Sequence, residues 1–115
     1  MPANANFEIV TEQHALTALC QRLQAYDWLT IDTEFLRVDT YRPILCLVQI
    51  ASADEAAIID PLKLDDLTPL WDLLMQAHIT KVFHAGGQDL EIILNATGKL
   101  PSNLFDNLGL TSDAI

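Results

Sequence analysis

Two carboxylates two residues apart are the first groups in the sequence whose spacing suggests chemistry. Asp32 and Glu34 lie in the segment Trp28–Phe35, whose β-branched and aromatic residues predict a strand. Both side chains therefore leave the same face, about 7 Å apart at a rise of roughly 3.3 Å per residue. Divalent cations, which bind oxygen ligands, would compensate the repulsion between two such carboxylates. The alternative is a strand at a sheet edge with both acids in water.

A third carboxylate belongs to a helix that is otherwise apolar along one side. This helix is predicted from about Gln88 to Ala96, and Asp89 precedes Ile92 and Ile93 by three and four residues. A carboxylate on or beside an apolar stripe is costly unless it is paired or coordinates metal. Asp89 also lies in the first turn, where the helix dipole favours its ionised form, so ordinary helix capping remains the alternative. Glu91 faces away and is expected in solvent.

The connection into this helix offers further polar groups. His84 ends the predicted strand at residues 81–84, and Gly86 and Gly87 lead into the helix. The glycines would let a phosphate or a sugar approach the amides at the helix N-terminus, or would only serve a tight turn. His84 is a candidate general base or a hydrogen-bonded core histidine.

Composition predicts a single acidic domain with a real core. The 115 residues include 16 acids and 6 basic residues, for a net charge of −10, and 50% are hydrophobic. Long-range attraction to a polyanion is therefore weak or absent, although a site that concentrates carboxylates for metal explains part of the excess. No apolar stretch is long enough for a bilayer and no secretory signal is visible, so we expect a cytoplasmic protein that does not bind a membrane. Cys20 and Cys46 are expected to be buried free thiols.

The pattern of apolar residues predicts the elements that position these groups. They are a strand at 7–10, a helix at 12–25 capped by Thr11, strands at 28–35, 45–51 and 56–60, a helix at 67–77, a strand at 81–84, a helix at 88–96 stopped by Gly98, and a strand at 104–106. The short links between the second, third and fourth strands predict an antiparallel meander, with the third strand central. The whole order predicts one α/β domain, a mixed sheet with helices on its faces. Asp54 and Glu55 are expected in a solvated turn.

Six segments together resemble the ribonuclease D family. They are Ile31-Asp32-Thr33-Glu34-Phe35-Leu36-Arg37, Thr40-Tyr41-Arg42-Pro43, Leu47-Val48-Gln49-Ile50-Ala51, Ile59-Asp60-Pro61-Leu62, Val82-Phe83-His84-Ala85-Gly86-Gly87-Gln88-Asp89-Leu90-Glu91 and Phe105-Asp106. The segments follow the family order and spacing, and the resemblance extends over nearly the whole chain. The resemblance implies a 3′-5′ exonuclease domain of the DEDD superfamily, with a ribonuclease H-like mixed β-sheet and flanking helices.

The same resemblance implies a role for each matching residue. Asp32 and Glu34 are similar to the first exonuclease motif, and Asp89 is similar to the acid of the second. Together they would hold two divalent cations, Mg²⁺ or Mn²⁺, at the single-stranded 3′ end of an RNA, where the metals activate a water and stabilise the leaving oxygen. Phe35 is a candidate to stack on the terminal base, with burial in the core as the alternative. His84 and Gln88 are further candidate substrate contacts.

The end of the sequence departs from the family pattern. The family's third motif is a helix with Tyr or His four residues before a final metal-binding Asp, but Gly109 stands four residues before Asp113. We therefore expect the C-terminal part of the fold to be missing and the exoribonuclease activity to be weak or absent in this chain alone. Exposed core surface or the C-terminal segment should then favour a homo-oligomer. The alternative function is a self-associating, non-catalytic relic with residual metal or nucleic-acid binding.

Overall fold

A six-stranded mixed sheet organises the chain. The computed structural model describes residues 6–37, 43–83, 87–101 and 103–106. In chain order, the elements are β1 (Asn6–Val10), α1 (Gln13–Leu23), β2 (Trp28–Arg37), β3 (Pro43–Ala51), β4 (Glu55–Ile59), a 3-10 turn (Pro61–Lys63), α2 (Thr68–Leu74), β5 (Thr80–Phe83), α3 (Gly87–Thr97) and β6 (Leu104–Asp106). The predicted order of strands and helices is confirmed.

The strands combine a meander with parallel additions. Their order across the sheet is β1-β4-β3-β2-β5-β6. The β2–β3 and β3–β4 pairs are antiparallel, which confirms the predicted meander. In contrast, β1 joins β4, β5 joins β2 and β6 joins β5 in parallel. The central position predicted for β3 is confirmed, and β2 lies between one antiparallel and one parallel neighbour.

The core lies on one face of the sheet. The buried side chains of α1, α2 and α3 join alternate residues of the strands in one cluster; those from the strands include Leu29, Ile31, Val48, Ile50, Ala57, Ile59 and Phe83. The residues between them point to the opposite face, which we call the open face. There Phe7, Ile9 and Trp28 are 52%, 64% and 42% exposed. The described helices thus bury their apolar sides against one face rather than both, and none of them is long and apolar enough to cross a membrane.

Several local predictions change in detail. Thr11 does not cap α1, because Glu12 is the cap residue and makes no side-chain capping bond. Instead, the Gln13 side chain fixes this end of the helix, donating to the Asp66 carbonyl at 2.6 Å and accepting from the Asp66 amide at 3.1 Å. The stop at Gly98 is confirmed, with a φ of 75° that favours glycine.

The thiols divide between the interior and the partly exposed surface. Cys20 is buried and Cys46 is half-buried, and both are free, so the prediction of two buried thiols holds only for Cys20. Burial and, to a smaller extent, the nearby charge of Asp72 together raise the pKa of Cys20 to about 12. Cys20 is therefore an inert packing residue at neutral pH.

Arg22 of α1 links the edge strand β1 to its neighbour β4 through two ion pairs. Arg22 of α1 donates to Glu8 of β1 at 2.9 Å and to Glu55 of β4 at 3.2 Å. Tyr26 also donates to Glu55, at 3.5 Å. The expectation that Glu55 is solvated is therefore wrong, since only 13% of its side chain is exposed. A guanidinium between the two acids holds β1 in register beside β4.

Lys81 is a fully buried cation on the core side of β5. It is 0% exposed, and its ammonium donates to the Gln76 carbonyl just beyond α2, at 2.6 Å. Burial lowers its pKa to about 8. The same carbonyl also accepts from the Ile79 amide at 3.3 Å, so it keeps a partner without the lysine. Because the unfolded chain binds this proton up to about pH 10.5, the lysine destabilises the fold most below pH 8, and stability recovers as pH rises towards 10.5.

Replacing Lys81 with methionine should therefore stabilise the protein at neutral pH. We expect Lys81→Met to raise the free energy of unfolding at pH 7 by about 1–3 kcal/mol, because it removes a buried charge at similar volume. The advantage should shrink between pH 8 and pH 10, where the wild-type lysine loses its proton. Urea unfolding of both proteins across this range measures the difference. A variant that is less stable by the same amount at every pH would contradict the assignment.

Candidate metal and nucleic-acid site

Asp32 and Glu34 project together from the open face of β2. Their cross-strand partners on β3 are Gln49 and Leu47. Ile31, which precedes Asp32 in the strand, points to the opposite face and is only 2% exposed. Asp32 is half-buried and Glu34 is exposed. Within the described residues, neither acid forms an ion pair. Both carboxylates are accessible, and no basic side chain in the described part of the chain pairs with them, as suits oxygen ligands for a divalent cation.

A β-bulge follows Glu34 directly. Glu34 pairs with Leu47, but Phe35 pairs with Leu45, which leaves Cys46 as an extra residue on β3. A bulge bends its strand and changes which side chains share a face. Phe35 is half-buried and its partner Leu45 packs against the core. Its pairing with Leu45 thus places Phe35 on the side of β2 opposite to the two carboxylates, and its stacking on a base stays a prediction.

The topology brings the start of α3 to the same edge of the sheet. Ile31 pairs with Phe83, the last residue of β5, so Asp32 is the next residue beyond that pair. Four peptide links from Phe83 reach Gly87, where α3 begins, a distance of at most about 14 Å. Asp89 is the third residue of α3. The chain thus limits how far the start of α3 can lie from the end of β5 next to Asp32, although Asp32 and Asp89 are 57 positions apart in the sequence (89 − 32).

Several predicted site groups fall outside the described part of the structure. These are His84 and the side chains of Gln88 and Asp89. On the described part of α3, Leu90 and Ile93 are 6% and 1% exposed and join the core, and Glu91 is exposed as predicted. Among the described side chains, which do not include that of Asp89, no three acids, histidines or cysteines form a group that could hold a metal ion.

A groove crosses the open face beside Asp32. Its volume is about 470 Å³. Successive cross-strand partners form its floor, a row of Val82, Thr30, Ala51, Ala56 and Phe7. The two alanines in the middle of this row have short side chains, so the groove is deepest between the larger residues at its ends. The next row begins at Asp32 and continues through Gln49 and Ile58, so a candidate ligand forms one end of the groove.

Sequence reasoning missed the groove and Gln49. The available signal was a polar residue at an alternate position of an apolar strand, Leu47-Val48-Gln49-Ile50. By itself this segment predicts a central strand and forms part of the family resemblance.

Known proteins resemble this chain over nearly all of its length. A family model described as 3′-5′ exonuclease matches residues 7–113. The chain belongs to the 3′-5′ exonuclease family. Ribonuclease D of Zymomonas mobilis subsp. mobilis is 58% identical to this exonuclease domain over 100 residues, which make up 85% of this chain and 26% of the relative. The domain thus spans about a quarter of the length of the curated relatives it matches.

Solved structures agree with this assignment. Escherichia coli RNase D, described as an exoribonuclease involved in structured RNA processing, gives a TM-score of 0.81 at 42% identity and covers 88% of this chain and 27% of that one. Trypanosoma brucei RNase D in complex with RNA U12 gives 0.74 at 21% identity, over 89% of this chain and 37% of that one, which shows the fold alone. The predicted resemblance to ribonuclease D and the ribonuclease H-like α/β fold are confirmed.

If Asp32 and Glu34 are metal ligands, divalent cations should stabilise the folded domain. At a free Mn²⁺ concentration of 100 times Kd, binding to the folded state alone adds about 2.7 kcal/mol. For a chain of this size, the melting temperature should rise by roughly 10 °C. Asp32→Asn and Glu34→Gln should each abolish most of this rise. Differential scanning fluorimetry with and without Mn²⁺ measures it.

Asp54→Asn is the matched control, because Asp54 is an exposed acid in the turn before β4. It should leave the Mn²⁺-induced rise unchanged. An equal loss in this variant would mean that the cation only screens the net negative charge, and would remove the support for a site at Asp32 and Glu34.

Proposed function

We propose that this chain forms part of a metal-dependent 3′-5′ exoribonuclease that processes RNA 3′ ends, and that the chain alone is at most weakly active. The observation that supports the proposal is the register of β2 with β5, in which Asp32 follows the Ile31–Phe83 pair and Phe83 precedes the start of α3 by four residues. Membership of the 3′-5′ exonuclease family supports the reaction type. The ribonuclease D names of the relatives support RNA as the substrate.

The proposed metal site consists of Asp32, Glu34 and Asp89. Carboxylate oxygens suit hard divalent cations, and the accessible pair on β2 has no basic partner among the described residues. We propose two cations, Mg²⁺ or Mn²⁺, for this set. When bound, the cations would supply Lewis-acid activation and charge stabilisation for phosphodiester hydrolysis. The three acids would bind the positively charged cations at one end of the strands of the sheet.

The substrate is proposed to be the single-stranded 3′ end of an RNA. With a net charge of −10, the domain as a whole does not attract RNA over long distances, so binding must depend on local contacts. His84 and Gln88 occupy the connection between β5 and α3 and the first turn of α3, and we propose them as contacts to the terminal nucleotide. Phe35 lies on the opposite side of β2 from the acids, so we propose that it packs on the core side of the sheet and does not contact the terminal base. Such a protein would act in the cytoplasm.

Degradation of a defined RNA tests the proposed reaction. With 5′-labelled single-stranded RNA and Mn²⁺, we expect slow stepwise shortening from the 3′ end. The rate should be at least about 10²-fold below that of full-length E. coli ribonuclease D, since one catalytic acid–base or electrostatic group is typically worth about 10²–10⁴. Gel electrophoresis of timed samples resolves the products.

Asp32→Asn and Asp89→Asn should abolish the shortening, whereas Asp54→Asn should retain it. A circular RNA of the same sequence should stay intact, because it offers no 3′ end. Shortening that persists in Asp32→Asn or in EDTA would reveal a contaminant. A complete lack of metal-dependent products would overturn the enzymatic proposal for this chain.

A second candidate function is favoured by the open face. We propose that a second copy of the chain covers it, in a non-catalytic assembly that keeps residual metal or nucleic-acid binding. Phe7 and Ile9 are 52% and 64% exposed side by side on the edge strand, with Trp28 on the same face at 42%. Exposed large apolar side chains on one face of a sheet favour association. The net charge opposes it, so association should strengthen with salt.

Light scattering on a size-exclusion column measures this association. The wild-type chain should elute with about twice the mass of a monomer at 0.3 M salt. Phe7→Thr combined with Ile9→Thr should yield monomers, because threonine keeps the preference for a strand while removing apolar area. Leu62→Thr is the matched control, since Leu62 is also 64% exposed but lies in the 3-10 turn. A wild-type monomer at all concentrations would contradict the proposal.

A further inference from the structure

Gln49 lies directly opposite Asp32 in the antiparallel pair of β2 and β3. Side chains at directly opposed positions share a face, with their Cβ atoms about 4.5–5.5 Å apart. The amide of a glutamine is long enough to reach a carboxylate across this distance. The pairing of β2 with β3 therefore places a polar side chain, that of Gln49, directly beside the first candidate metal ligand, Asp32.

The surroundings of Gln49 do not explain the presence of an amide. Its other cross-strand partner is Ile58 on β4, and Ala51, two positions along the same strand, forms part of the groove floor. The Gln49 side chain is exposed and makes no hydrogen bond to another residue in the described part of the chain. The amide thus stabilises no loop, cap or turn there. Its donor and its acceptor are both available to Asp32 and to whatever binds beside it.

The chemistry of an amide suits this position better than a charge would. A lysine or arginine opposite Asp32 would neutralise the carboxylate and compete with a cation. An amide nitrogen can donate to one carboxylate oxygen while leaving the negative charge and the other oxygen available. Carboxylates that bind metal are usually fixed by such a hydrogen bond, and removing it typically weakens metal binding or activity by about 10–100-fold.

We propose that Gln49 is a positioning residue for Asp32. The two side chains form no hydrogen bond with each other in this structure; when a divalent cation binds Asp32, the Gln49 Nε2 would donate to one oxygen of the carboxylate and direct the other oxygen towards the cation. This inference rests on the metal-dependent function proposed for the site, and it adds a residue from β3 to a set otherwise drawn from β2 and α3. No covalent change of Gln49 is involved.

Direct measurement of Mn²⁺ binding tests the inference. Gln49→Met keeps the length of the side chain and removes both the donor and the acceptor. We expect its dissociation constant for Mn²⁺, measured by electron paramagnetic resonance of the free ion, to rise by about 10–100-fold. Gln21→Met is the matched control, because Gln21 is exposed on α1, and its constant should equal that of the wild type. All proteins are measured at a temperature where circular dichroism shows them fully folded.

The outcomes separate this inference from the function on which it rests. If the wild type binds no Mn²⁺, or binds it equally well after Asp32→Asn, the proposed metal site fails. If the wild type binds through Asp32 and Gln49→Met binds with the same constant, the role of Gln49 is wrong while the metal site stands. A variant with an unchanged constant but a lower melting temperature without metal would assign Gln49 a merely structural role. Weaker binding with an unchanged metal-free melting temperature supports the inference.

Discussion

The pairing of β2 with two different neighbours is the constraint on which the arrangement depends. On one side the antiparallel ladder with β3 fixes which residues share a face with Asp32 and Glu34. On the other side the parallel ladder with β5 ends at the Ile31–Phe83 pair, which determines where the chain leaves the sheet towards α3. A shift of one residue in either ladder would send the acids to the core side or move the helix away from them. The chemistry proposed for the site is thus a property of hydrogen-bonded backbone register.

Much of this architecture could be predicted because the relevant signals are local. Trp28–Phe35 is rich in β-branched and aromatic residues, and the polar turn after Ala51 separates two apolar strands. The stop at Gly98 needs a positive φ, which glycine adopts at little cost. Asp32 and Glu34 share a face because the side chains of a strand alternate with a period of two residues. Each of these features depends on a few neighbouring residues, so a single sequence is sufficient to predict it.

Other features depend on contacts between distant segments. Phe7 and Ile9 alternate with Glu8, which suggests that the apolar pair faces a core, yet they lie on the open face because Glu8 turns towards Arg22 of α1. Lys81 was grouped with an apolar strand, but no pattern indicated that its ammonium reaches a carbonyl beyond α2. Gln49 gained meaning only through its partner across the ladder. These contacts could not be predicted, because each joins residues from different segments of the chain.

The extra residue at the bulge of β3 affects how this region can change. Ile44, Leu45, Cys46 and Leu47 are all apolar, so their order alone does not distinguish the core side from the open side. The bulge makes that distinction by adding one position between Leu45 and Leu47. Replacement of Cys46 by another residue would keep the bulge, whereas its deletion would join Leu45 directly to Leu47 and give a regular ladder in which Leu45 still pairs with Phe35. The pairing of the outer end therefore tolerates either change, and what the extra residue adds is a local bend of β3 beside Glu34.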